Sequence, residues 1–169
     1  ATQWQIDFDA KSGFGIGVEA EFVLPYYKNK WSIILEPTYQ TYSSKGETTA
    51  TGVVGGKILG KAEYKPIEIP IGLRHSFYLN QNSKLYIDGS IVFDMSSNST
   101  IEMTRADGSI LETLDIGKSN NLAFGIGYKY LNKYSVAAKL QTKRNILANY
   151  VAWDGSYGSF SLIHGYTIF

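Results

Sequence analysis

The sequence predicts an all-β protein, specifically an eight-stranded antiparallel up-and-down transmembrane β-barrel that forms one domain over residues 1–169. Three observations lead to this prediction. Apolar and polar residues alternate in segments of about ten residues, the length that a tilted strand needs to cross a bilayer. The connections between these segments are alternately short and long. The chain also contains 13 Tyr, 8 Phe and 3 Trp, residues that favour strands and membrane interfaces.

Composition excludes several classes of protein and site. Lys and Arg number 16 against 15 Asp and Glu, so no net charge favours nucleic acid as a partner. The chain has no cysteine, which excludes disulfides, thiolate metal sites and a cysteine nucleophile. No run of about 18 apolar residues occurs, which excludes a membrane-spanning helix but not barrel strands. We expect no cofactor.

The clearest strand is IEIPIGLRHSFYL over residues 67–79. Its odd positions are apolar except for His75, and its even positions carry residues such as Glu68 and Arg74, so the strand has two unlike faces. The same alternation predicts further strands over residues 2–8, 13–24, 31–42, 84–95, 121–130, 134–143 and 159–169.

The connections sort into two kinds. Residues 26–30, 80–84 and 131–133 form short turns, whereas the connections on the other side, residues 44–58, 96–119 and 147–157, are long and polar or rich in glycine. Short periplasmic turns and long extracellular loops are typical of outer-membrane barrels. Within the second long connection, Asp107-Gly108 predicts a β-hairpin that continues two strands above the membrane.

The first strand has two interpretations. The alternation of residues 2–8 continues in phase into residues 13–24, so residues 1–11 are either a separate strand or the upper part of one long second strand. We favour a short loop at residues 11–13 and a separate first strand. In the other interpretation, the first strand lies outside this chain.

The polar alternating face carries charges together with glycines such as Gly15 and Gly125. A soluble barrel would expose these charges to solvent, but an outer surface has no need of so many glycines, whereas a narrow lumen needs small residues opposite large ones. The apolar face carries aromatic residues towards both ends, as at two membrane interfaces. We therefore expect the apolar face to contact lipid and lipopolysaccharide in a bacterial outer membrane.

A narrow eight-stranded barrel is filled by its side chains, so its buried charges have to pair. The motifs FGIGVE (14–19) and FGIGYK (124–129) place Glu19 and Lys129 equivalently on opposite walls. We predict a pair between them, joined by Arg74 to Glu68 or Glu36; the alternative is that each lysine extends to an end of the barrel. The predicted lumen network is Glu19, Glu36, Glu68, Arg74, Asp88, Lys129 and Lys139.

Catalytic and metal sites find little support in the sequence. His75 and His164 lie near the short-turn ends of their strands, the wrong rim for chemistry on lipopolysaccharide, and two histidines without an acidic cluster make a poor metal site. We expect no enzymatic activity. The long connection near the carboxyl end carries Tyr150, Trp153 and Tyr157, which either bind sugars or another protein or lie at the upper membrane interface.

Several segments resemble a known family. GFGIGVEAEFVLPYYKNKWSIILEPTYQTY, IEIPIGLRHSFYL, LYIDGSIVFD and the closing HGYTIF resemble the outer-membrane β-barrel proteins of Bacteroidota, a group that includes the PorT-like accessory proteins of type IX secretion. The resemblance covers roughly residues 13–95 and the last dozen. It implies a barrel of eight or slightly more strands and a terminal aromatic residue for assembly, as Phe169 provides, although Thr167 stands where many barrels have a second aromatic.

These expectations combine into one functional prediction. The chain is a non-enzymatic outer-membrane barrel that acts as a membrane anchor or interaction subunit of a larger complex for secretion, assembly or uptake, with other outer-membrane proteins as possible partners. One alternative is a small ligand-binding or transport barrel with a filled polar lumen. A lipid-modifying surface enzyme is a weaker alternative.

Overall fold

A computed structural model describes residues 4–5, 7–8, 13–49, 56–95, 99–145, 153–154 and 156–168. These residues form an all-β structure with one short 3-10 turn at Tyr27–Asn29. The prediction of an antiparallel all-β protein is confirmed. The strands are β1 (Trp4–Gln5), β2 (Asp7–Phe8), β3 (Phe14–Gly17), β4 (Ala20–Val23), β5 (Trp31–Leu35), β6 (Thr38–Thr49), β7 (Lys57–Tyr64), β8 (Ile67–Tyr78), β9 (Ser83–Asp94), β10 (Thr100–Arg105), β11 (Ile110–Asp115), β12 (Asn121–Tyr130), β13 (Tyr134–Asn145), β14 (Trp153–Asp154) and β15 (Ser156–Tyr166).

One large antiparallel sheet contains most of these strands, in the order β11-β10-β7-β6-β8-β9-β12-β13-β15. Strand β5 joins β8 on one side and β4 on the other, and β3 continues along β6. Between β5 and β6, Glu36 and Pro37 interrupt the regular strand, but the Val18 amide still donates to the Pro37 carbonyl at 3.1 Å. Strands β3 and β4 therefore form one long strand with a short interruption, and β5 and β6 form a second one beside it.

The three predicted short turns connect β4 to β5, β8 to β9, and β12 to β13, and they lie at one end of the sheet, the turn end. Leu131 and Asn132 adopt left-handed φ angles of 53° in the tightest of these turns. The opposite end, the loop end, carries the long connections.

At the loop end, β6, β7, β10 and β11 extend the sheet beyond the strands of the turn end. The predicted hairpin is confirmed, since β10 and β11 pair around Asp107-Gly108, where Gly108 has a φ of +84°. The side chain and amide of Ser109 donate to Asp107, and these hydrogen bonds lower the pKa of that carboxyl group. A small apolar core supports this region and consists of the buried residues Ile58, Ala62, Ile101, Met103 and Leu114.

The separate first strand predicted over residues 2–8 is wrong. Strand β2 pairs with β6, Asp7 opposite Glu47, on the side of β6 where β3 places Phe14 opposite Thr41. Residues 7–8 therefore extend the second strand upwards, which is the interpretation that we did not favour. Strand β1 pairs with β14 in parallel, Trp4 opposite Trp153. The physical reason is that β6 runs on to Thr49, beyond its pairing with β3, and residues 7–8 pair with this further part of β6, with the register shifted by one residue between the two ladders.

The sheet is not closed into a barrel. Among the described residues, no ladder joins β3 or β4 to β15, and these strands form two open edges. From β4 through β5, β8, β9, β12 and β13 to β15, every pairing is antiparallel, so β4 and β15 run in the same direction. Joining them directly requires a parallel ladder, and one short parallel ladder of this kind does occur at the loop end, where β1 pairs with β14.

Candidate functional site

The sheet curls strongly, so that the side chains of one face meet each other across it. Lys139 on β13 forms an ion pair with Glu36, and Gln141 on β13 donates to Glu68 on β8 at 2.9 Å. Strands β9 and β12 lie between these partners in the sheet. The concave side that these contacts define is called the inner face below, and the opposite side is the outer face.

Arg74 lies at the centre of the inner face, and its side chain is only 3% exposed. Its guanidinium donates to both carboxylate oxygens of Glu19 at 2.7 Å and to Asp88 Oδ2 at 2.9 Å. The same group lies over the Tyr86 ring, 4.0 Å from its centroid. Bidentate and aromatic contacts of this kind suit the planar guanidinium and not a lysine ammonium.

A second group of charges lies towards the turn end and is centred on Glu21. The Ser32 hydroxyl donates to Glu21 at 2.9 Å, and the amino groups of Lys84 and Lys129 lie 3.5 and 3.8 Å from its carboxylate oxygens. Arg74 Nη1 lies 3.6 Å from Glu21, which connects this group to the central one.

Towards the loop end, the inner face carries Glu36, Glu68 and Asp94. Lys139 pairs with Glu36, Gln141 donates to Glu68, and the Tyr64 hydroxyl donates to Asp94 at 2.8 Å. Glu68 is only 1% exposed. The acids of this region are therefore removed from solvent and bound by polar partners, as buried charges require.

The seven predicted lumen residues all lie on the inner face, but two predicted pairings are wrong. Glu19 pairs with Arg74, and Lys129 pairs with Glu21 in place of Glu19. Arg74 contacts Glu19, Glu21 and Asp88 instead of bridging to Glu68 or Glu36. The prediction had not selected Lys84, Tyr86 or Gln141, although the alternation of β9 and β13 places them on the same face as Asp88 and Lys139.

Two glycines of β12 make room for the central charges. A Cβ atom on Gly125 would overlap Asp88 Oδ1, and one on Gly127 would overlap the ring of Tyr86. Gly72 on β8 is equally enclosed, because its Cβ would overlap the Gly89 carbonyl oxygen. The inner face is therefore packed so closely that Asp88 and Tyr86 on β9 require glycine on the neighbouring strand β12.

The outer face is apolar and exposed. Exposure reaches 53% for Leu73, 48% for Ile87 and 58% for Ile126, although these residues lie within the sheet. Exposed aromatic side chains lie towards the turn end (Tyr27, Phe77, Tyr130, Tyr134) and towards the loop end (Tyr39, Phe93). The outer face is thus an apolar band in which Phe22, Phe124 and Phe160 are exposed in the middle, level with Leu73, and further aromatic residues are exposed towards both ends.

The histidines do not form a recognisable catalytic or metal-binding arrangement. The His75 ring packs between Trp31 and Phe77, with centroid distances of 4.6 Å to each. Within the described part of the chain, no group of three or more His, Asp or Glu side chains is placed to hold a metal ion. The arrangement holds charges in fixed positions.

The three aromatic residues predicted to bind sugars or a protein lie in or next to a part of the chain that the structure does not describe. Tyr150 lies outside the described residues, Trp153 belongs to β14 and Tyr157 to β15, and their side chains are not described. Their predicted role in binding stays a prediction.

No helix among the described residues is long and apolar enough to span a membrane. Comparisons of this chain with protein-family models, with curated proteins and with solved structures give no match.

Proposed function

We propose that this chain is a non-enzymatic outer-membrane β-barrel that serves as a membrane anchor or interaction subunit of a larger complex. One observation carries the proposal, namely the reversed polarity of the curled sheet. Charged side chains such as Arg74 and Glu68 are at most 3% exposed, whereas the outer-face residues Ile126 and Leu73 are more than half exposed.

This polarity is unfavourable in water and favourable in lipid. Each exposed apolar side chain forgoes a burial free energy of about 1.5–3 kcal/mol in water, and each buried charge adds a desolvation cost. In a bilayer, the outer face is solvated by hydrocarbon while the charges stay paired inside. The aromatic residues towards both ends of the band match the preference of Trp and Tyr for membrane interfaces.

Eight strands remain the proposed barrel size. The antiparallel passages of the chain through the sheet are β2–β4, β5–β6, β7–β8, β9, β12, β13 and β15. One more strand, antiparallel to both open edges, would give an even number and a closed antiparallel barrel. A barrel of eight strands has an interior that side chains fill.

The filled interior favours an anchor or interaction role over transport or ligand binding. Arg74, its acidic partners and Tyr86 occupy the centre of the inner face, and Gly125 and Gly127 beside them have no room for a Cβ atom. Partners would therefore bind to the surfaces of the protein, namely the outer face and the sheet of β6, β7, β10 and β11 at the loop end. The partners proposed are outer-membrane lipid and lipopolysaccharide and other outer-membrane proteins, as the resemblance to the Bacteroidota barrels also implies.

The direct test is insertion into phospholipid vesicles. We expect the refolded chain to remain with the vesicles after alkaline carbonate extraction and to migrate differently on gels before and after heating. In a variant that keeps Trp31 as its one tryptophan, lipids brominated near the headgroup should quench fluorescence more than lipids brominated at the chain terminus. A chain that stays monodisperse in buffer without detergent or lipid would contradict the proposal.

The effect on stability of a charged substitution on the outer face distinguishes a membrane protein from a soluble protein. Replacing Ile126 by lysine should destabilise the inserted protein by about 2–4 kcal/mol, because the ammonium group would lie in hydrocarbon near the bilayer centre. The measurement is urea unfolding in vesicles. The matched control is Thr113→Lys on the exposed loop-end hairpin, which should change stability by at most about 0.5 kcal/mol. In a soluble protein Ile126→Lys would be as harmless as the control, since Ile126 is 58% exposed.

A further inference from the structure

Two lysines lie directly opposite each other at the turn end of the inner face. Lys129 on β12 is the register partner of Lys84 on β9, and both side chains point inwards, towards Glu21. Because β9 begins at Ser83 and β12 ends at Tyr130, these two lysines form the last inner-facing row before the short turns. Like charges directly opposite on neighbouring strands destabilise a sheet. This row therefore requires a negatively charged partner.

One carboxylate serves both lysines. Lys84 Nζ lies 3.5 Å from Glu21 Oε1 and Lys129 Nζ lies 3.8 Å from Glu21 Oε2, beyond the upper limit of about 3.2 Å for a typical N–H···O hydrogen bond. Glu21 also accepts from the Ser32 hydroxyl and lies 3.6 Å from Arg74. Among the described residues, neither lysine ammonium donates a hydrogen bond, yet the Lys84 and Lys129 side chains are only 10% and 12% exposed. Both ammonium groups are therefore short of acceptors.

The ionic groups of the inner face are unevenly distributed between its centre and its turn end. At the centre, Arg74 is bound by two carboxylates, those of Glu19 and Asp88. At the turn end, the two lysines share the one carboxylate of Glu21. The centre therefore has an excess of one negative charge, and the turn end has an excess of one positive charge.

The short turns add to the positive charge of the turn end. Residues 26–30, 80–84 and 131–133 contain no Asp or Glu, and they contain the lysines Lys28, Lys30, Lys84 and Lys133. An anion that approaches this end meets charge of one sign, which raises its local concentration and its rate of association.

The neighbours of the two lysines in the same row suit a phosphate group. Ser135, the register partner of Lys129, adds a hydroxyl donor beside its ammonium group. On the other side, the Tyr78 ring lies 5.9 Å from Lys84 Nζ, and its hydroxyl donates to the Asn29 carbonyl at 3.0 Å, which fixes the ring. A phosphate group has diverging oxygens that accept from several donors at once, and lysine binds it as a compact point charge.

We propose that the turn-end row of the inner face binds one phosphate group between the ammonium groups of Lys84 and Lys129, with the Ser135 hydroxyl as a further donor. The group belongs to inorganic phosphate or a small phosphate ester that enters from the turn end, or to the headgroup of a phospholipid. The site lies at the rim of the inner face, on the turn-end side of the filled centre. The inference does not rest on the proposed function, because the row is the same whatever solvates the outer face.

The first test is a titration of the protein with inorganic phosphate in maltoside micelles, which contain no phosphorus. Binding is measured by the broadening of the phosphate signal in ³¹P NMR, at an ionic strength held constant with sodium chloride because salt screens unspecific attraction. We expect saturable binding to the parent chain. Lys84→Met and Lys129→Met should each weaken it at least about tenfold, since each removes one of the two charges that hold the anion.

Lys133→Met is the matched control. It removes a lysine from the same end of the protein, but Lys133 is exposed in the turn beyond β12, so binding should weaken less than about twofold. Glu21→Gln should tighten phosphate binding at least about threefold, because the anion then has no carboxylate to compete with for the two lysines. A purely structural role of the lysines would give no such tightening.

A second experiment distinguishes the two sources of the phosphate group. Phosphatidylglycerol is added to the micelles, and the lipid molecules that remain bound to each chain are counted by native mass spectrometry. Lipid retention that falls in Lys84→Met and Lys129→Met but not in Lys133→Met assigns the site to a phospholipid headgroup. Saturable binding of inorganic phosphate with the same dependence assigns it to a soluble phosphate.

Two results would overturn the inference. If the folded parent chain bound neither inorganic phosphate nor phosphatidylglycerol, the row would hold no phosphate group, and this result needs no variant. If Lys133→Met weakened binding as much as Lys84→Met and Lys129→Met, the turn end would attract anions only through its overall charge. Both results would leave the proposed membrane insertion untouched. A chain that proved soluble without detergent would be titrated in the same way in buffer.

Discussion

Replacing Arg74 by methionine should destabilise the folded protein by about 3–5 kcal/mol, the cost of leaving buried charges without their partner. Arg74 is bound to both oxygens of Glu19 and to Asp88, and it also lies within 3.6 Å of Glu21. Methionine keeps much of the side-chain length but leaves these carboxylates facing one another. The measurement is the free energy of unfolding in urea, with the protein in detergent micelles or vesicles.

The matched control for this substitution is Arg105→Met. Arg105 donates to Ser109 on the exposed loop-end hairpin, and its loss should cost at most about 1 kcal/mol. Adding Glu19→Gln and Asp88→Asn to Arg74→Met should restore part of the lost stability, because the two carboxylates that bound the guanidinium are then neutral. Equal effects of Arg74→Met and Arg105→Met would mean that the centre of the inner face is hydrated and contributes little to stability.

The position of Arg74 on the inner face could be predicted from the sequence because it depends on local alternation alone. In residues 67–79, each side chain points opposite to its neighbour, so Arg74 and His75 are assigned to different faces without knowledge of the rest of the chain. The strands over residues 84–95, 121–130 and 134–143 were predictable for the same reason. Their bounds agree closely with β9, β12 and β13.

The ion pairs could not be predicted in the same way, because they depend on the stagger of strands that are distant in sequence. Glu19 and Lys129 occupy matching positions in similar motifs, but matching positions do not lie at the same height once the strands are staggered. Lys129 meets Glu21, two residues further along, while Glu19 meets Arg74 on a strand in between. Lys84 stood at the boundary between the predicted turn (80–84) and the predicted strand (84–95) and was not selected, whereas β9 already begins at Ser83.

The prediction of a separate first strand was wrong for a different physical reason. Residues 2–8 alternate in the same phase as residues 13–24, and both a new strand and an extension of the old one satisfy that pattern. The ladder of Asp7 and Phe8 with Glu47 and Gly46 decides between them, and this contact joins residues about 40 apart in the chain. The same ladder removes residues 2–8 from the count of separate predicted strands.

The space left by Gly127 should also contribute to the stability of the folded protein. Replacing Gly127 by valine should destabilise the protein by about 1–3 kcal/mol or prevent its folding, because the new side chain would occupy the position of the Tyr86 ring. Displacing Tyr86 also removes the ring that lies 4.0 Å from the Arg74 guanidinium. Urea unfolding in vesicles measures the loss.

Gly89→Val is the matched control, on the neighbouring strand β9 but on the outer face. The nearest atoms to a Cβ at Gly89 belong to the Phe124 ring at 3.9 Å, an ordinary contact, so this variant should be as stable as the parent chain within about 0.5 kcal/mol. Combining Gly127→Val with Tyr86→Ala should recover stability relative to Gly127→Val alone, since the valine then fills space that the ring has vacated. If Gly127→Val and Gly89→Val were equally tolerated, the inner face would be packed more loosely than the contacts of Tyr86 and Arg74 require, and room for a ligand on the inner face would have to be reconsidered.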